Sequence, residues 1–280
     1  MEEHARACVA SPVPAFPCRS VPVKLSVVIP TLNEEENLPH LFSRLPAEIH
    51  EVILVDGNSS DATVAVARTL CPDVNVVLQD GRGKGNALRC GFEACTGDII
   101  VMLDADGSAD PDEIAAFTNA LESGADFAKG SRFIKGGGSA DITRCRRIGN
   151  FVLTRLVNLL FRTEYTDLCY GYNAFWRHCL PVMRIDCDGF EVETLINIRL
   201  ARSDLRVVEV PSYEEVRLHG TSNLHVVRDG WRVQRTIFTE WLRPVESSFK
   251  LMAASPDSSA EMVGQPGGIL STDALEAGVA

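Results

Sequence analysis

Short apolar runs rich in valine and isoleucine alternate with segments of helical periodicity through the first half of this chain. The apolar runs read KLSVVIP, EVILVD, VNVVLQ and DIIVMLD, and in the segment after each of them apolar residues recur every three or four positions. Strands with continuous apolar character belong to parallel sheets that helices cover on both faces. The pattern therefore predicts an α/β fold with a mostly parallel, twisted sheet flanked by helices.

The second half keeps a weaker alternation and predicts helices near 144–161, 190–202 and 229–242, so that amphipathic helices close a single domain over residues 24–246. Residues 1–23 are rich in proline and are predicted to be a disordered leader. Residues 247–280 are mostly small and polar, with too little apolar area to offset the entropy of ordering, and are predicted to be a disordered tail.

Charge and cysteine content limit the class of protein. With 27 Lys and Arg against 38 Asp and Glu, the net charge of −11 argues against a nucleic-acid partner. The nine cysteines form no Cys-x-x-Cys pair, and no stretch approaches the roughly 20 apolar residues of a membrane span. We expect a cytoplasmic protein with reduced thiols. The protein would be either free in the cytoplasm or bound peripherally to the inner face of the cell membrane. The oligomeric state stays open.

Two aspartates follow the fourth apolar run. Asp104 and Asp106 flank one residue at the end of a predicted strand, so both carboxylates can bracket one hard cation such as Mg²⁺ or Mn²⁺. Such an ion would neutralise a departing diphosphate. The alternative is a helix cap, for which Asp110 before Pro111 is the better candidate.

Three further positions near predicted strand ends are candidates for donor binding. Asp56 ends the second strand and is suited to hydrogen-bonding a nucleobase or ribose, although a capped turn would also explain it. Glu34 begins a run of three glutamates that we place in the first turn of a helix, where carboxylates favour the dipole. Lys84 lies in a glycine-rich loop. Because this loop lacks the Walker spacing of an ATPase P-loop, we interpret it as a loop that covers a nucleotide-sugar.

The segment 142–162 concentrates positive charge, with five arginines and no acidic residue. Its apolar face suits either a membrane interface beside anionic lipid or a helix packed on the core. The segment 229–243 combines two tryptophans with arginines and leaves the same two alternatives.

Seven motifs occur in order along residues 24–246: IPTLNEEENL, VDGNSSDAT, GKGNALRCGF, GDIIVMLDADGSADP, GSRF, DLCYGY and FEVE. This order resembles the inverting family-2 glycosyltransferases of GT-A fold. The second half looks most like the polyprenyl-phosphate sugar synthases, typified by dolichyl-phosphate mannose synthase. The resemblance implies transfer of a hexose from a nucleotide-sugar of the GDP-mannose or UDP-glucose type to polyprenyl phosphate. Gly107-Ser108 departs from the Leu-Gln or Leu-Ser of such synthases, which leaves the sugar open.

The resemblance also implies roles for individual residues. The nucleoside would be contacted by Pro30, Glu34 and Asp56, and the metal and diphosphate by Asp104 and Asp106. The acceptor phosphate would be held by Arg132 with help from Arg146 and Arg147, while Arg217 would reach the diphosphate.

The acceptor decides the mechanism. A lipid monophosphate has its second pKa near ~6 and is already an oxyanion at neutral pH, so it needs arginines rather than a general base. A hydroxyl acceptor would need a carboxylate, for which Glu193 or Asp188 is the candidate. Two rival hypotheses remain: a soluble glycosyltransferase acting on a small-molecule hydroxyl, and a non-catalytic nucleotide-sugar-binding protein.

Overall fold

The computed structural model describes residues 22–244, which belong to one compact unit. The strands are β1 (Leu25–Thr31), β2 (Glu51–Asp56), β3 (Asn75–Leu78), β4 (Ile99–Met102), β5 (Phe127–Ser131), β6 (Gly138–Ser139), β7 (Asn173–Trp176), β8 (Val207–Pro211) and β9 (Tyr213–Glu214). The helices are α1 (Leu38–Arg44), α2 (Thr63–Leu70), α3 (Lys84–Ala94), α4 (Ile114–Glu122), α5 (Arg144–Phe161), α6 (Leu180–Met183), α7 (Val192–Ala201) and α8 (Val226–Leu242).

Seven strands form the main sheet in the order β3-β2-β1-β4-β7-β5-β8. Every neighbouring pair is parallel except the two that involve β7, which runs antiparallel to β4 and β5. The predicted α/β fold with a mostly parallel sheet is therefore confirmed. A second, two-stranded parallel sheet pairs β6 with β9.

Alternate residues of the central strands β1, β2 and β4 contribute to two apolar cores, one on each face of the main sheet. In β1, Val27 and Ile29 pack with α1 and α4, whereas Val28 packs with α3 and α7. This side-to-side alternation follows from the pleat, and burial on both faces explains why the strands are continuously apolar in sequence.

Helix α7 is buried on all sides, from Val192 to Leu200. One side packs on the sheet, and the other joins α5 and α8 in a third apolar cluster that includes Val157, Ile198 and Ile237. The three predicted helices are present, but only α5 and α8 are amphipathic, because α7 is enclosed by the sheet on one side and by α5 and α8 on the other. Helix α8 begins at Val226, three residues before the expected start. No helix in residues 22–244 is long and apolar enough to cross a membrane.

One local prediction is wrong. The three glutamates at 34–36 lie in a turn before α1 and not in its first turn, because the helix begins at Leu38. Pro39 is tolerated only in the first turn of a helix, which sets this start. The predicted leader and tail lie outside the described residues, apart from residues 22 and 23, and stay predictions.

Gly91 in α3 tests the packing of this helix on the sheet. A Cβ at this position would lie 2.4 Å from Val28 Cγ1 and 2.9 Å from Val55 Cγ2. We expect Gly91→Ala to lower the free energy of unfolding by up to about 2 kcal/mol, because overpacking costs about 1–3 kcal/mol and outweighs the gain in helix propensity. Urea denaturation measures the change.

Gly149→Ala is the matched control, since a Cβ at that helical glycine meets no atom within 4 Å. We expect this variant to be as stable as the wild type or slightly more so. Equal destabilisation of both variants would contradict the packing argument.

Candidate functional site

A pocket lies at the carboxyl end of β4, where a ligand site is expected in a parallel sheet. Its walls come from the loop after β4, the segment 169–172, the pocket-facing sides of α5 and α8, and the segment 214–224. Its lining combines polar and apolar side chains. The polar lining consists of Lys84, Asp104, Asp106, Ser108, Arg132, Asp141, Arg146, Asn150, Glu193, Glu214, Arg217, Ser222 and Asp229.

Lys84 joins three elements at the bottom of the pocket. Its ammonium group lies 2.8 and 2.9 Å from the two carboxylate oxygens of Asp104 and 2.8 Å from Glu193 Oε1. The lysine begins α3, and Glu193 lies in the first turn of α7. Gly171 leaves room for the cluster, because a Cβ there would lie 2.6 Å from Lys84 Nζ.

Arg217 holds the second aspartate. Its Nη2 lies 2.5 Å from Asp106 Oδ2, and its Nη1 lies 3.6 Å from Glu34 Oε1. The other Asp106 oxygen accepts hydrogen bonds from the hydroxyl and backbone amide of Ser108, at 2.6 and 3.0 Å. Gly107 makes this turn possible with a φ of 77°. Both aspartates therefore face the pocket, each beside a cation from another element.

The pKa values of the surrounding groups reflect these charges. Burial alone would lower the pKa of Lys84, but Asp104 and Glu193 raise it well above its usual value, so the ammonium stays protonated. Burial raises the pKa of Glu34, although the Asn37 hydrogen bond and the Arg217 charge partly offset this effect.

Arg132 is buried in a network of two carboxylates. Its Nε and Nη2 donate to Asp167 at 2.7 and 3.0 Å, and its Nη1 donates to Glu214 at 3.0 and 3.1 Å. Asp167 also accepts from Asn150 Nδ2 at 3.1 Å, and the guanidinium group lies 4.6 Å from the Tyr170 ring centroid. Arg132 borders the pocket, but its donors are engaged within the protein.

The other predicted arginines differ in position. Arg146 lines the pocket from α5 and pairs with Asp141 at 3.1 Å. Arg147 is exposed, stacks near the Phe133 ring at 5.6 Å and does not line the pocket. The acceptor-phosphate roles of Arg132, Arg146 and Arg147 stay predictions, and the geometry favours Arg146.

The predicted nucleoside-binding residues lie at the same end of the sheet but outside the pocket lining. Pro30 lies in β1, and Asp56 pairs in register with Thr31. Asp56 accepts the Ser59 amide at 3.3 Å with both oxygens, as the capped-turn alternative requires. Their nucleoside role and that of Glu34 stay predictions.

The glycine-rich loop has a packing role that its sequence did not reveal. A Cβ on Gly83 would lie 2.2 Å from the Asp188 carbonyl oxygen, and one on Gly85 would lie 2.3 Å from that of Cys187. The glycines thus let the backbone of 187–188 approach the start of α3. Asp188 itself is exposed and does not line the pocket.

Several residues of the site were not predicted from the sequence. Glu214 lies on a two-residue strand and gave no signal. Asn150 is a buried polar residue inside an amphipathic helix, and this break in the apolar pattern was available to find it. Gly171, between two tyrosines, gave no signal of its contact with the Lys84 cluster.

Comparison with known proteins decides the family. Residues 26–181 match the family model described as Glycosyl transferase family 2. The chain belongs to this family. It is a glycosyltransferase, and the predicted resemblance is confirmed.

Curated relatives of this family-2 glycosyltransferase cover most of its length. Glycosyltransferase AglJ of Haloferax volcanii is 31% identical over 75% of this chain and 69% of its own. The dolichol-phosphate mannosyltransferase of Pyrococcus furiosus is 32% identical over 72% of this chain and 59% of its own. The polyprenol monophosphomannose synthase of Mycolicibacterium smegmatis is 30% identical over 77% and 85%.

Solved structures share the fold. Glucosyl-3-phosphoglycerate synthase from Mycobacterium tuberculosis, in complex with Mn²⁺, UDP and glucosyl-3-phosphoglycerate, aligns with a TM-score of 0.62 at 23% identity. The alignment covers 80% of this chain and 82% of that one. At this identity the likeness establishes the GT-A architecture.

Asp167 offers a test of the buried arginine network. Burial alone would raise its pKa, but the hydrogen bonds and charge of Arg132 lower it below the usual value. The ionised carboxylate therefore stabilises the fold above the unfolded pKa of about 3.9, and this stabilisation is lost as the pH falls toward the folded pKa. We expect Asp167→Asn to lower the free energy of unfolding at pH 7 by about 3–5 kcal/mol. Denaturant unfolding at pH 7 and at lower pH measures both effects.

The control is Asp141→Asn, which breaks the partly exposed pair with Arg146. We expect a change within about 1 kcal/mol. The wild type should lose more stability than Asp167→Asn as the pH falls below 4. If the stability of the wild type and that of Asp167→Asn depended on pH in the same way, the ionised pair would be ruled out as a source of stability.

Proposed function

We propose that this glycosyltransferase moves a hexose from a nucleotide-sugar, of the GDP-mannose or UDP-glucose type, to polyprenyl phosphate with Mg²⁺ or Mn²⁺. The observation that carries the proposal is the composition of the pocket lining, which combines two aspartates, three arginines and apolar residues of α5 and α8. A diphosphate, a monophosphate and a hydrocarbon chain together need these three kinds of side chain. The names of the relatives from Pyrococcus furiosus and Mycolicibacterium smegmatis support the same acceptor class.

The donor end suits a hard cation. Asp104 and Asp106 offer carboxylate oxygens from one short loop, and each is already matched with a positive charge, from Lys84 or Arg217. No group of three or more His, Cys, Asp or Glu side chains within residues 22–244 is arranged to hold a metal. The two aspartates would therefore share the ion with the donor diphosphate. A bound Mg²⁺ or Mn²⁺ supplies charge neutralisation of the leaving diphosphate.

The chain's own cations complete the donor site. Arg217 lies where it can turn from Asp106 toward a diphosphate, and Lys84 holds Asp104 in place from behind. Guanidinium groups bind phosphate oxygens through paired hydrogen bonds, which fixes orientation as well as charge.

The acceptor end favours an oxyanion nucleophile. Glu193, the expected base for a hydroxyl acceptor, is buried and has the Lys84 ammonium group 2.8 Å from its Oε1. That oxygen is engaged and not free to take a proton from a hydroxyl. A monophosphate needs no base, and Arg146 at the pocket wall offers its counter-charge. Attack of the phosphate oxygen on C1 from the face opposite the diphosphate would invert the anomeric centre.

The outer faces of α5 and α8 carry exposed apolar residues that are suited to binding a membrane surface. Ile148, Phe151, Val152 and Leu159 of α5 are exposed, and so are Val227, Trp231, Phe238, Trp241 and Leu242 of α8. The positions in α8 repeat at helical spacing on one side, and Arg228, Arg232 and Arg235 flank them. We call these nine exposed apolar residues the outer apolar face. Apolar and aromatic side chains beside arginines suit an interface with anionic lipid.

Asp104 tests the donor site. We expect Asp104→Asn to lower transfer by about 100-fold, since loss of charge stabilisation of several kcal/mol at a diphosphate has this scale. The rise in melting temperature on adding GDP-mannose or UDP-glucose with Mn²⁺ should also shrink. Thermal shift and transfer of radiolabelled sugar measure the two effects.

Asp112→Asn is the control, since this exposed aspartate pairs only with Arg44 among the described ion pairs of residues 22–244. We expect it to match the wild type. Full transfer by Asp104→Asn would rule out the donor role. Wild-type binding of donors without turnover on any acceptor would favour the non-catalytic alternative, and labelled product that never partitions with polyprenyl phosphate would favour the soluble enzyme with a hydroxyl acceptor.

The outer apolar face predicts lipid binding. We expect the wild-type chain to cosediment with vesicles containing phosphatidylglycerol and the double variant Trp231→Ser, Phe238→Ser to lose at least about tenfold in partitioning, because two large aromatic side chains leave the interface. Leu78→Ser is the control, because Leu78 is exposed at the opposite edge of the sheet. Equal binding by both variants would contradict the proposed face.

A further inference from the structure

Two glycines occupy helix interiors on the pocket wall. Gly149 lies in α5 and Gly230 in α8, and both line the pocket. Glycine inside a helix destabilises it relative to alanine, because the unfolded backbone has more freedom to lose. Each position therefore calls for a local reason.

Close packing is not that reason. A Cβ added at Gly149 or at Gly230 meets no atom within 4 Å. Gly91 in α3 shows the contrast, since its Cβ would lie 2.4 Å from a valine methyl. The two pocket glycines also have no positive φ. What they provide is empty space between α5 and α8.

Apolar side chains border this space along both helices. In α5, Cys145 and Leu153 lie one turn to either side of Gly149 and also line the pocket. In α8, Val226 and Val233 do the same around Gly230. The space is therefore a passage whose walls are one face of each helix, where these apolar residues alternate with the polar Asn150 and Asp229.

The passage adjoins the cations of the acceptor end. Arg146 precedes Gly149 by three residues on the pocket side of α5. A phosphate held by this arginine would place its ester chain along the apolar residues of these walls. At the far side the same two helices present the outer apolar face to solvent.

We propose that Gly149 and Gly230 are specificity-determining residues that admit the isoprene units next to the acceptor phosphate. This inference rests on the proposed function and names the part of the acceptor that the passage takes. A larger side chain at either glycine would fill the volume that the first isoprene units occupy. Recognition would then depend on chain length near the phosphate and not only on the phosphate itself.

The experiment compares the full chain with Gly149→Leu and Gly230→Leu in detergent micelles. Transfer to undecaprenyl phosphate is measured with isopentenyl, geranyl and farnesyl phosphates as competitors. For the wild type we expect the inhibition constant to fall at least about threefold with each added isoprene unit, because each buries more apolar surface. For the leucine variants we expect the KM for undecaprenyl phosphate to rise about tenfold and the dependence on chain length to flatten.

Thr239→Leu is the matched control, because Thr239 is exposed on α8 and does not line the pocket. It should keep the wild-type KM and chain-length dependence. The melting temperatures of both pocket variants should equal or exceed that of the wild type, since leucine is the better helix former. Their thermal shift with donor and Mn²⁺ should also be unchanged, which excludes a folding or donor defect.

The possible outcomes distinguish the role of the two glycines from the proposed function. Wild-type transfer to prenyl phosphates with unaltered chain-length dependence in both leucine variants would overturn the role of the glycines and leave the proposed function standing. A wild type that uses no prenyl phosphate, and that no prenyl competitor inhibits, would overturn the proposed function itself.

Discussion

The buried ion pair between Arg132 and Asp167 is the interaction on which the pocket depends. Arg132 directly follows β5 and Asp167 lies before β7, so the pair ties the carboxyl end of β5 to the loop that carries Tyr170 and Gly171. Two charges in a dry interior are tolerated only when geometry and further hydrogen bonds satisfy both. Asn150 from α5 and Glu214 from β9 provide those bonds. The network thereby holds α5 and β9 around one point.

A second set of ion pairs involves Asp104 and Asp106. Lys84 pairs with Asp104 and Arg217 pairs with Asp106, and both carboxylates line the pocket. Lys84 also engages Glu193 on the fully buried helix α7, which fixes the bottom of the site to the core. Arg217 lies on the loop between β9 and α8 and joins this loop to Asp106 and Glu34.

The strand ends predicted where the two aspartates lie, but they gave no information on the charged partners of the site residues. Asp104 and Asp106 lie where the sheet predicts, because the carboxyl ends of parallel strands meet at one edge. Arg132 lines the pocket, but two carboxylates engage it, and Glu214 comes from 82 residues away along the chain. Such a partner carries no local pattern. The prediction that Glu34 to Glu36 lie in the first turn of α1 was wrong for a local reason, because Pro39 restricts the start of the helix to Leu38.

Periodicity, strand-end polarity and the order of motifs were enough to determine the α/β sheet, the edge that bears the site and the aspartate pair, because these features are written in neighbouring residues. Only the tertiary structure decided which cation faces which carboxylate, that Glu193 is engaged by Lys84, and that Gly149 and Gly230 open onto a pocket and not onto a packed surface. These contacts join residues far apart in sequence. Their energies depend on burial and distance, which a chain acquires only when it folds.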